Sequence, residues 1–392
     1  MLKLRELDVT NKRVLMRVDF NVPVQAGEIT DDTRIRATLP TIQYLIDKGA
    51  KLILMSHLGR PKGERKPEYS LLPVAARLSR LLGKPVIFSS DCIGDEPESK
   101  ARRLGPGDVL LLENLRFHRE ETKNDPEFAA GLAKLGEIYV NDAFAVSHRA
   151  HASVVGVPKL MKVKAPGFLL EKEIESFEKV LKNPDRPFHA VMGGAKISDK
   201  IEVIRNLLDK VDKLFVGGGM SYTFFRAMGY ETGDSIVEED KIDLAEELLD
   251  KYSDRIALPV DIVITDDIEQ PTKTEVIDPN SGIPKGIKGV DIGPATRDTW
   301  GKELMTAKTI VWNGPVGVFE HKPFDEGSKA IVQVLVKVTE MGGTTVVGGG
   351  DTVAFVNQTG IGDRLTHVST GGGASLEYLA GYELPGIKVL SE

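Results

Sequence analysis

The sequence predicts an α/β fold with two doubly wound (Rossmann-like) parallel-sheet domains, joined by a hinge helix, and an active site in the cleft between them. Short apolar runs alternate with amphipathic segments, as in parallel strands connected by right-handed helical crossovers. The length of 392 residues exceeds that of one ordinary core and favours two domains. A helical segment bracketed by prolines, residues 168–183, separates residues 1–167 from residues 184–380.

In the first half, each predicted strand leads into a polar segment. Helical spacing of apolar residues predicts helices over Thr38–Lys48 and Leu72–Leu82. Ligands of such sheets bind beyond the carboxyl ends of the strands, so we expect a site there. The predicted strands are Arg13–Val18, Lys51–Met55, Pro85–Phe88, Asp108–Leu112 and Ile138–Val140.

The connecting helix is predicted from one apolar stripe. Leu170, Ile174, Phe177 and Leu181 recur at helical spacing, and prolines on both sides limit the segment. Such a helix is suited to be a rigid connector, although an ordinary surface helix within one domain has the same pattern.

The second half repeats this organisation with more glycine. Four glycine turns follow strands, at residues 193–194, 217–219, 348–350 and 371–373, where backbone N–H groups can approach a phosphate. Tight packing also selects glycine, so the turns alone are a weak signal. The predicted strands are His189–Met192, Lys213–Val216, the strand pair Ala257–Pro259 and Ile262–Thr265, Thr309–Trp312, Thr344–Val347 and His367–Ser369.

Composition excludes several classes of protein. The hydrophobic content of 41% and the charged content of 28% are those of a globular protein, and the net charge of −7 argues against nucleic-acid or anionic-membrane partners. No apolar run has the length of a membrane span, and the charged N-terminus lacks the apolar core of a signal peptide. The only cysteine, Cys92, fits a reducing compartment and is a packing residue rather than a nucleophile. We expect a cytoplasmic protein.

Cationic side chains concentrate near strand ends in the first half. Arg34, Arg60, Arg116 and Arg149 carry planar forks that suit carboxylate and phosphate oxygens. Each alone could be a surface ion-pair partner. Together they indicate a small substrate with several negative charges.

The turn after Met192 is the strongest phosphate signal. We predict a helix from Ala195 onward, on which Lys196 and Lys200 share one face near its N-terminus. A solvated lysine face is the alternative. Asp351, after another glycine turn, is placed to reach a phosphate-bound Mg²⁺ or to cap a helix.

Several standard sites are absent from the sequence. There is no Walker-type P-loop and no dinucleotide fingerprint with an acidic ribose partner. Paired CxxC and HExxH patterns are also lacking, so a structural or catalytic zinc site is not expected. Arginines in one half and phosphate-binding glycines in the other indicate phosphoryl transfer across a closing cleft.

Nine motifs in order make the chain similar to the phosphoglycerate kinase family over nearly its whole length. They lie at residues 17–23, 56–61, 111–118, 141–153, 193–200, 217–220, 312–320, 348–352 and 369–377. One departure is Ala145, where the family usually has glycine. The resemblance implies reversible phosphoryl transfer between 1,3-bisphosphoglycerate and MgADP, giving 3-phosphoglycerate and MgATP. It also implies that residues 381–392 return to the first domain, and we expect a monomer.

The resemblance also implies roles for residues. The catalytic set is Arg34, Lys196, Lys200, Gly372 and Gly373. The substrate set is Asp19, Phe20, Asn21, Arg34, His57, Leu58, Gly59, Arg60, Arg116 and Arg149. The nucleotide set is Gly194, Lys200, Gly218, Gly219, Gly289, Val290, Asn313, Pro315, Val318, Glu320, Gly349, Gly350, Asp351 and Thr352, and Asp351 is the metal ligand.

Two other classes remain open on the sequence alone. One is an oxidoreductase on a doubly wound sheet, against which the missing dinucleotide fingerprint counts. The other is a non-catalytic nucleotide-binding or scaffold protein. Both lysines, the arginines and Asp351 argue against it, because a mere binder need not keep charges that act only in a transition state.

Overall fold

The computed structural model describes all 392 residues, and the chain divides into two compact units. The first comprises residues 1–174 and 383–392, and the second comprises residues 175–382. The boundary falls within the helix that the sequence predicts between the halves, observed at Phe168–Lys182. No helix is long and apolar enough to cross a membrane.

The first unit is built on a six-stranded, all-parallel sheet. Its strand order is β5-β6-β4-β1-β7-β8, and a separate two-stranded hairpin pairs β2 with β3. The strands are β1 (Arg13–Arg17), β2 (Val24–Gln25), β3 (Glu28–Ile29), β4 (Lys51–Met55), β5 (Ile87–Phe88), β6 (Val109–Leu111), β7 (Ile138–Asn141) and β8 (Lys164–Pro166).

Helices cover this sheet, and its central strands are buried throughout. The buried apolar side chains of β1 and β4 form one core with those of α1 and α2, as expected for strands covered on both faces. The helices are α1 (Thr33–Asp47), α2 (Leu72–Leu82), α3 (Asp95–Arg103), α4 (Arg119–Lys123), α5 (Pro126–Ala133), α6 (Val157–Leu160) and α7 (Phe168–Lys182).

The second unit has its own six-stranded parallel sheet, in the order β11-β10-β9-β15-β16-β17. A separate antiparallel sheet, β13-β12-β14, lies beside it. The strands are β9 (Phe188–Met192), β10 (Lys213–Val216), β11 (Ile256–Ala257), β12 (Ile262–Thr265), β13 (Thr274–Ile277), β14 (Lys288–Ile292), β15 (Thr309–Asn313), β16 (Thr344–Gly348) and β17 (His367–Val368).

The helices of the second unit bury apolar side chains against that sheet, as α12 does with Ile331, Val332 and Leu335. A short C-terminal helix, α15 (Pro385–Lys388), packs in the first unit, where Gly386 donates its N–H to the Ser147 carbonyl at 2.8 Å. The remaining helices are α8 (Ile201–Leu208), α9 (Met220–Ala227), α10 (Ile242–Tyr252), α11 (Pro294–Leu304), α12 (Glu326–Glu340), α13 (Gly350–Thr359) and α14 (Gly373–Leu379).

The fold class is confirmed, and two local predictions are wrong. The helix predicted from Ala195 begins only at Ile201, after a turn, so Lys196 and Lys200 do not share a helical face. The strands predicted around Ala257 and Ile262 belong to two different sheets, one parallel and one antiparallel. Alternation of strands and helices does not identify such an inserted antiparallel sheet.

Candidate active site

Both parallel sheets reverse their strand order beside their first strand. In the first unit, β4 lies on one side of β1 and β7 lies on the other. In the second unit, β10 and β15 flank β9 in the same way. Ligands of open α/β sheets bind at such switch points, beyond the carboxyl ends of the strands. Each unit therefore has one candidate ligand site, called a half-site below, at the carboxyl ends of the strands beside its switch point.

In the first unit, the segment after β1 holds an arginine from α1. Arg34 donates from Nη1 to the Asp19 carboxylate at 2.7 Å, and the Asp19 side chain is only 9% exposed against 38% for Arg34. Phe20 is buried behind them and donates its N–H to Ser56 Oγ at 2.9 Å. One nitrogen of the guanidinium is thus fixed while the side chain still reaches solvent.

The loop after β4 is held by side chains from two other strand ends. Asn21 Oδ1 accepts the Gly59 N–H at 2.8 Å, and Arg116 Nη1 donates to the Gly59 carbonyl at 2.9 Å. Asn114 brackets Leu58, accepting its N–H and donating to its carbonyl. These contacts bring the ends of β1, β4 and β6 to one place, as the sequence predicts.

Cationic side chains outnumber carboxylates at this edge. Burial and the charges of Arg17 and Arg149 lower the pKa of Arg116 to about 10. Burial, followed by the charges of Arg17, Arg116 and Arg34, holds the pKa of His57 well below its usual value. His57 is therefore neutral near pH 7, and the edge is suited to an anion because its cations repel one another.

Below this edge lies a buried polar chain, Arg17–Ser153–Glu121, that the sequence analysis did not single out. Arg17 Nε donates to Ser153 Oγ at 2.8 Å, and Ser153 Oγ donates to Glu121 Oε1 at 2.6 Å. Arg17 Nη2 also lies 3.2 Å from His57 Nδ1. An arginine has no acceptor, so Nδ1 accepts and the His57 ring proton is on Nε2.

Some buried polar atoms of the first unit have no partner within the protein. Those among the arginines and histidines of this edge are Arg116 Nε, His148 Nδ1 and His151 Nδ1. Arg149 Nε bonds His148 Nε2 at 3.2 Å, which places Arg149 in the same cluster. Arg60 lies on the same loop as Gly59 and is exposed. Buried donors without partners are costly, so this cluster is built for a polar ligand.

In the second unit, backbone turns from β9 and β15 meet directly. Gly194 donates its N–H to the Pro315 carbonyl at 2.8 Å, and Gly193 donates to Asn313 at 3.0 Å. A Cβ on Gly193 would lie 2.1 Å from the Pro315 oxygen, so only glycine fits there. The close approach of these turns forms the floor of a pocket.

This pocket lies within the second unit, and its volume is about 260 Å³. The antiparallel sheet contributes Lys288, Gly289 and Val290 of β14 to its wall. Of the predicted nucleotide residues, the lining includes Gly194, Gly218, Gly219, Gly289, Val290, Pro315, Val318, Glu320 and Asp351. The sequence analysis missed Tyr222, Ser235, Ile236, Ile268, Lys288 and Phe319, which complete the lining together with Ala195, Asp234 and Gly317.

The two lysines differ in their surroundings. Lys200 Nζ donates to the Gly193 carbonyl at 2.7 Å and the Asn313 carbonyl at 3.2 Å, and burial lowers its pKa to about 8 despite the nearby Asp351 carboxylate. Lys196 is exposed in the turn before α8. The lysines therefore approach the site from one turn, but Lys200 is folded inward against carbonyl oxygens.

The remaining predicted residues form a cluster behind the pocket. Thr352 Oγ1 accepts the Gly314 N–H at 2.6 Å, and Ser375 Oγ links Gly349 to the Gly372 carbonyl. The buried Asn313 amide has no partner for either its oxygen or its nitrogen. Asn313, Gly349, Gly350, Thr352, Gly372 and Gly373 thus lie beside the pocket rather than in its lining.

The missed residues left different signals in the sequence. Arg17 is a charged residue in an apolar strand, a pattern that indicates a buried partner, but its distant partners Ser153 and Glu121 cannot be read from spacing. Lys288 lies on β14, outside the strand–helix alternation.

A cationic edge in one α/β unit and a glycine-lined pocket in the other define a nucleotide-dependent phosphotransferase of the two-unit α/β class. The family model described as "Phosphoglycerate kinase" matches residues 4–382. The chain therefore belongs to the phosphoglycerate kinase family, and it is a phosphotransferase of glycolysis.

Named relatives agree over the full length. The phosphoglycerate kinase of Thermosipho africanus (strain TCF52B) is 54% identical, covering 98% of this chain and 96% of the relative. The phosphoglycerate kinase of Moorella thermoacetica is 53% identical, and the match covers 100% of this chain and 99% of the relative. Among solved structures, phosphoglycerate kinase from Coxiella burnetii is similar with a TM-score of 0.90 at 41% identity, covering 100% of this chain and 98% of that one.

Proposed function

We propose that this chain transfers a phosphoryl group reversibly between the acyl phosphate of 1,3-bisphosphoglycerate and ADP, giving 3-phosphoglycerate and ATP, by direct in-line transfer. The observation that carries the proposal is the excess of cationic side chains at the switch point of the first unit. Phosphoryl transfer needs alignment and charge stabilisation more than covalent chemistry, and this edge can supply both.

The triose phosphate would bind at the edge of the first unit. Arg116 and Arg149, with buried polar atoms that lack partners nearby, would hold its anionic groups, and Arg60 would close over them from its exposed loop. His57 would donate from Nε2, because Arg17 occupies Nδ1. Arg34 would stabilise charge on the transferring group with the part of its fork that Asp19 leaves free.

The nucleotide would occupy the pocket of the second unit. Gly289, Val290 and Val318 would contact the base, and Glu320 would contact the ribose. The phosphates would run toward Asn313 and the start of α13, where backbone N–H groups and the helix dipole favour anions. Lys200 would exchange its two carbonyl partners for phosphate oxygens.

The residues present fit a Mg²⁺ ion. Asp351 lies in the first turn of α13, is exposed and lines the pocket, and Mg²⁺ bound to a nucleotide usually takes only one or two protein carboxylates. When bound, the ion would screen phosphate charge. Asp351 would hold it, while Thr352 is engaged with the Gly314 N–H and keeps the turn in place.

Transfer also requires that the two half-sites meet and that water be excluded. We propose that residues 168–183 act as the hinge helix between a triose-binding domain, residues 1–167 with 381–392, and a nucleotide-binding domain, residues 184–380. The single cysteine fits a reducing environment and supports a cytoplasmic location. The acidic net charge supports activity without nucleic-acid or membrane partners. We also propose that the protein acts as a monomer.

The test is a coupled assay that follows ADP formation from ATP with 3-phosphoglycerate and Mg²⁺. We expect turnover that needs all three components and falls when Mg²⁺ is chelated. Turnover without 3-phosphoglycerate, or none with it, would overturn the proposal.

A further inference from the structure

Three side chains of the types that bind metals meet at the outer edge of the first sheet. Asp91 and Cys92 follow β5, the edge strand, and His118 follows the turn after β6. These segments are far apart in the sequence, which is why no spacing pattern indicates a metal site.

The geometry of the cluster is compact. One ligand atom from each of Asp91, Cys92 and His118 lies within 4.8 Å of the others. His118 Nε2 is 2.7 Å from Asp91 Oδ1, and the Cys92 side chain is fully buried beneath them. The His118 ring packs against Phe128 at a centroid distance of 5.2 Å, which fixes its plane.

We propose that Asp91, Cys92 and His118 form a binding site for Zn²⁺ or a similar borderline-soft divalent cation. A thiolate, an imidazole and a carboxylate are the ligand types that zinc takes, and soft thiolate selects against Mg²⁺. With metal–ligand bonds of about 2.0–2.3 Å, the ligand atoms on a tetrahedral ion lie roughly 3–4 Å apart. Side-chain movements of about one ångström would therefore bring all three ligand atoms into bonding distance of one ion.

Two of the three side chains reach solvent. The side chains of Asp91 and His118 are 35% and 25% exposed, so water can reach the open position. Arg65 Nη2 lies 3.1 Å from Asp91 Oδ2 and competes for that carboxylate, but the Arg65 side chain is 53% exposed and free to swing outward. Burial, followed by the charges of Asp91 and Glu121, raises the pKa of the Cys92 thiol, so the incoming ion must displace the thiol proton to solvent. The resulting thiolate and the carboxylate together balance a divalent ion.

The test uses Co²⁺ as the probe, added to the full-length protein in buffer without nucleotide or Mg²⁺. Cys92 is the only cysteine, so a thiolate-to-cobalt charge-transfer band in the near ultraviolet can arise only from this residue. We expect such a band to saturate at one Co²⁺ per chain and to disappear when one equivalent of Zn²⁺ is added.

Two variants and one control complete the test. Cys92→Ser should abolish the band while it keeps kinase activity, and His118→Gln should weaken cobalt binding at least tenfold. His321→Gln, which removes an imidazole of the other unit, should leave the titration unchanged. Absence of the band in the wild-type protein, or a titration of His118→Gln that matches wild type, would overturn the proposal.

Discussion

Arg34 is held at one nitrogen and exposed at the rest of its fork. Its Nη1 bonds the buried Asp19 carboxylate at 2.7 Å, so the guanidinium is positioned before any ligand arrives. Such preorganised charge stabilises a transition state more than a ground state. We expect Arg34→Ala to lower kcat by roughly 10³–10⁵-fold, the range for catalytic arginines in phosphoryl transfer, in the coupled assay.

Arg34→Lys serves as the comparison, because it keeps the charge and loses the fork. We expect it to stay close to the alanine variant, since one ammonium cannot bond Asp19 and a phosphoryl oxygen in the same geometry. Near-normal kcat in Arg34→Ala would remove the catalytic role.

Ser153 connects two charges that do not touch. Its hydroxyl lies between the fully buried Arg17 and the fully buried Glu121, and removing it leaves Arg17 Nε and Glu121 Oε1 without this bond, although both residues keep other contacts. We expect Ser153→Ala to lower the free energy of unfolding by roughly 1–3 kcal/mol, measured by urea denaturation.

Ser89→Ala is the matched control for that measurement. Ser89 is equally buried, but its hydroxyl has no hydrogen-bond partner. Its removal should therefore change stability little. Equal losses in the two variants would show that the Arg17–Ser153–Glu121 chain contributes no more than a buried serine does.

At the scale of elements, α7 is anchored by a carboxylate from another strand end. Asp142, after β7, accepts the Leu170 N–H at 3.1 Å, and Thr41 Oγ1 accepts the Phe168 N–H at 3.0 Å. A Cβ on Gly167 would lie 2.3 Å from Asp142 Oδ1, so glycine permits this approach. Burial raises the pKa of Asp142 from 3.8 to about 7, because it outweighs the hydrogen bonds, which lower the pKa.

This shift predicts a pH dependence of stability. The folded state keeps the Asp142 proton between pH 4 and 7 while the unfolded chain has lost it, so wild-type stability falls as pH rises through this window. Asp142→Asn cannot ionise, and we expect it to gain roughly 3 kcal/mol relative to wild type from pH 4 to pH 7.

Thermal unfolding of both proteins across pH 4–8 measures the difference. Burial also raises the pKa of Asp291, to about 8, but that group titrates in both proteins and cancels in the comparison. Stability curves that run parallel between pH 4 and 7 would contradict the role assigned to Asp142.

Elements with a clear period could be predicted from the sequence, and those set by distant contacts could not. Lys51–Met55 and Leu72–Leu82 have the predicted bounds because apolar spacing and flanking glycines define them. The segment after Gly194 has helical composition, yet Ser198 donates its N–H to the Glu238 carboxylate at 3.1 Å, and α8 begins only at Ile201. Tertiary hydrogen bonds overrode local propensity there.

The candidate site follows the same division. Polar residues directly after strands, such as Asp19 and His57, can be expected to lie close together because the sheet edge gathers strand ends, and their side chains lie 3.9 Å apart. Arg17 and Glu121 were missed because their partnership passes through Ser153, far from both in the sequence.

At the scale of the whole molecule, the proposed chemistry requires closure of the two half-sites. We expect small-angle X-ray scattering to show a smaller radius of gyration with 3-phosphoglycerate and MgATP together than with either ligand alone. Each ligand contacts one half-site, and only both together bridge the two. Identical scattering in all four states would contradict the hinge role proposed for residues 168–183.

The strand β14 belongs to a small antiparallel sheet, whereas the phosphate-side turns follow the parallel one. The pocket wall and the turns after β9 and β15 therefore belong to different sheets, which are joined where Val318 donates its N–H to the Val290 carbonyl at 2.8 Å. If the base contacts β14 as proposed, substitutions at Lys288 or Val290 would alter the preference for the base while the turns at Gly193 and Gly314 keep their shape. In evolutionary terms, placing the proposed base contacts on a different sheet would let nucleotide preference change with few substitutions in the parallel sheet.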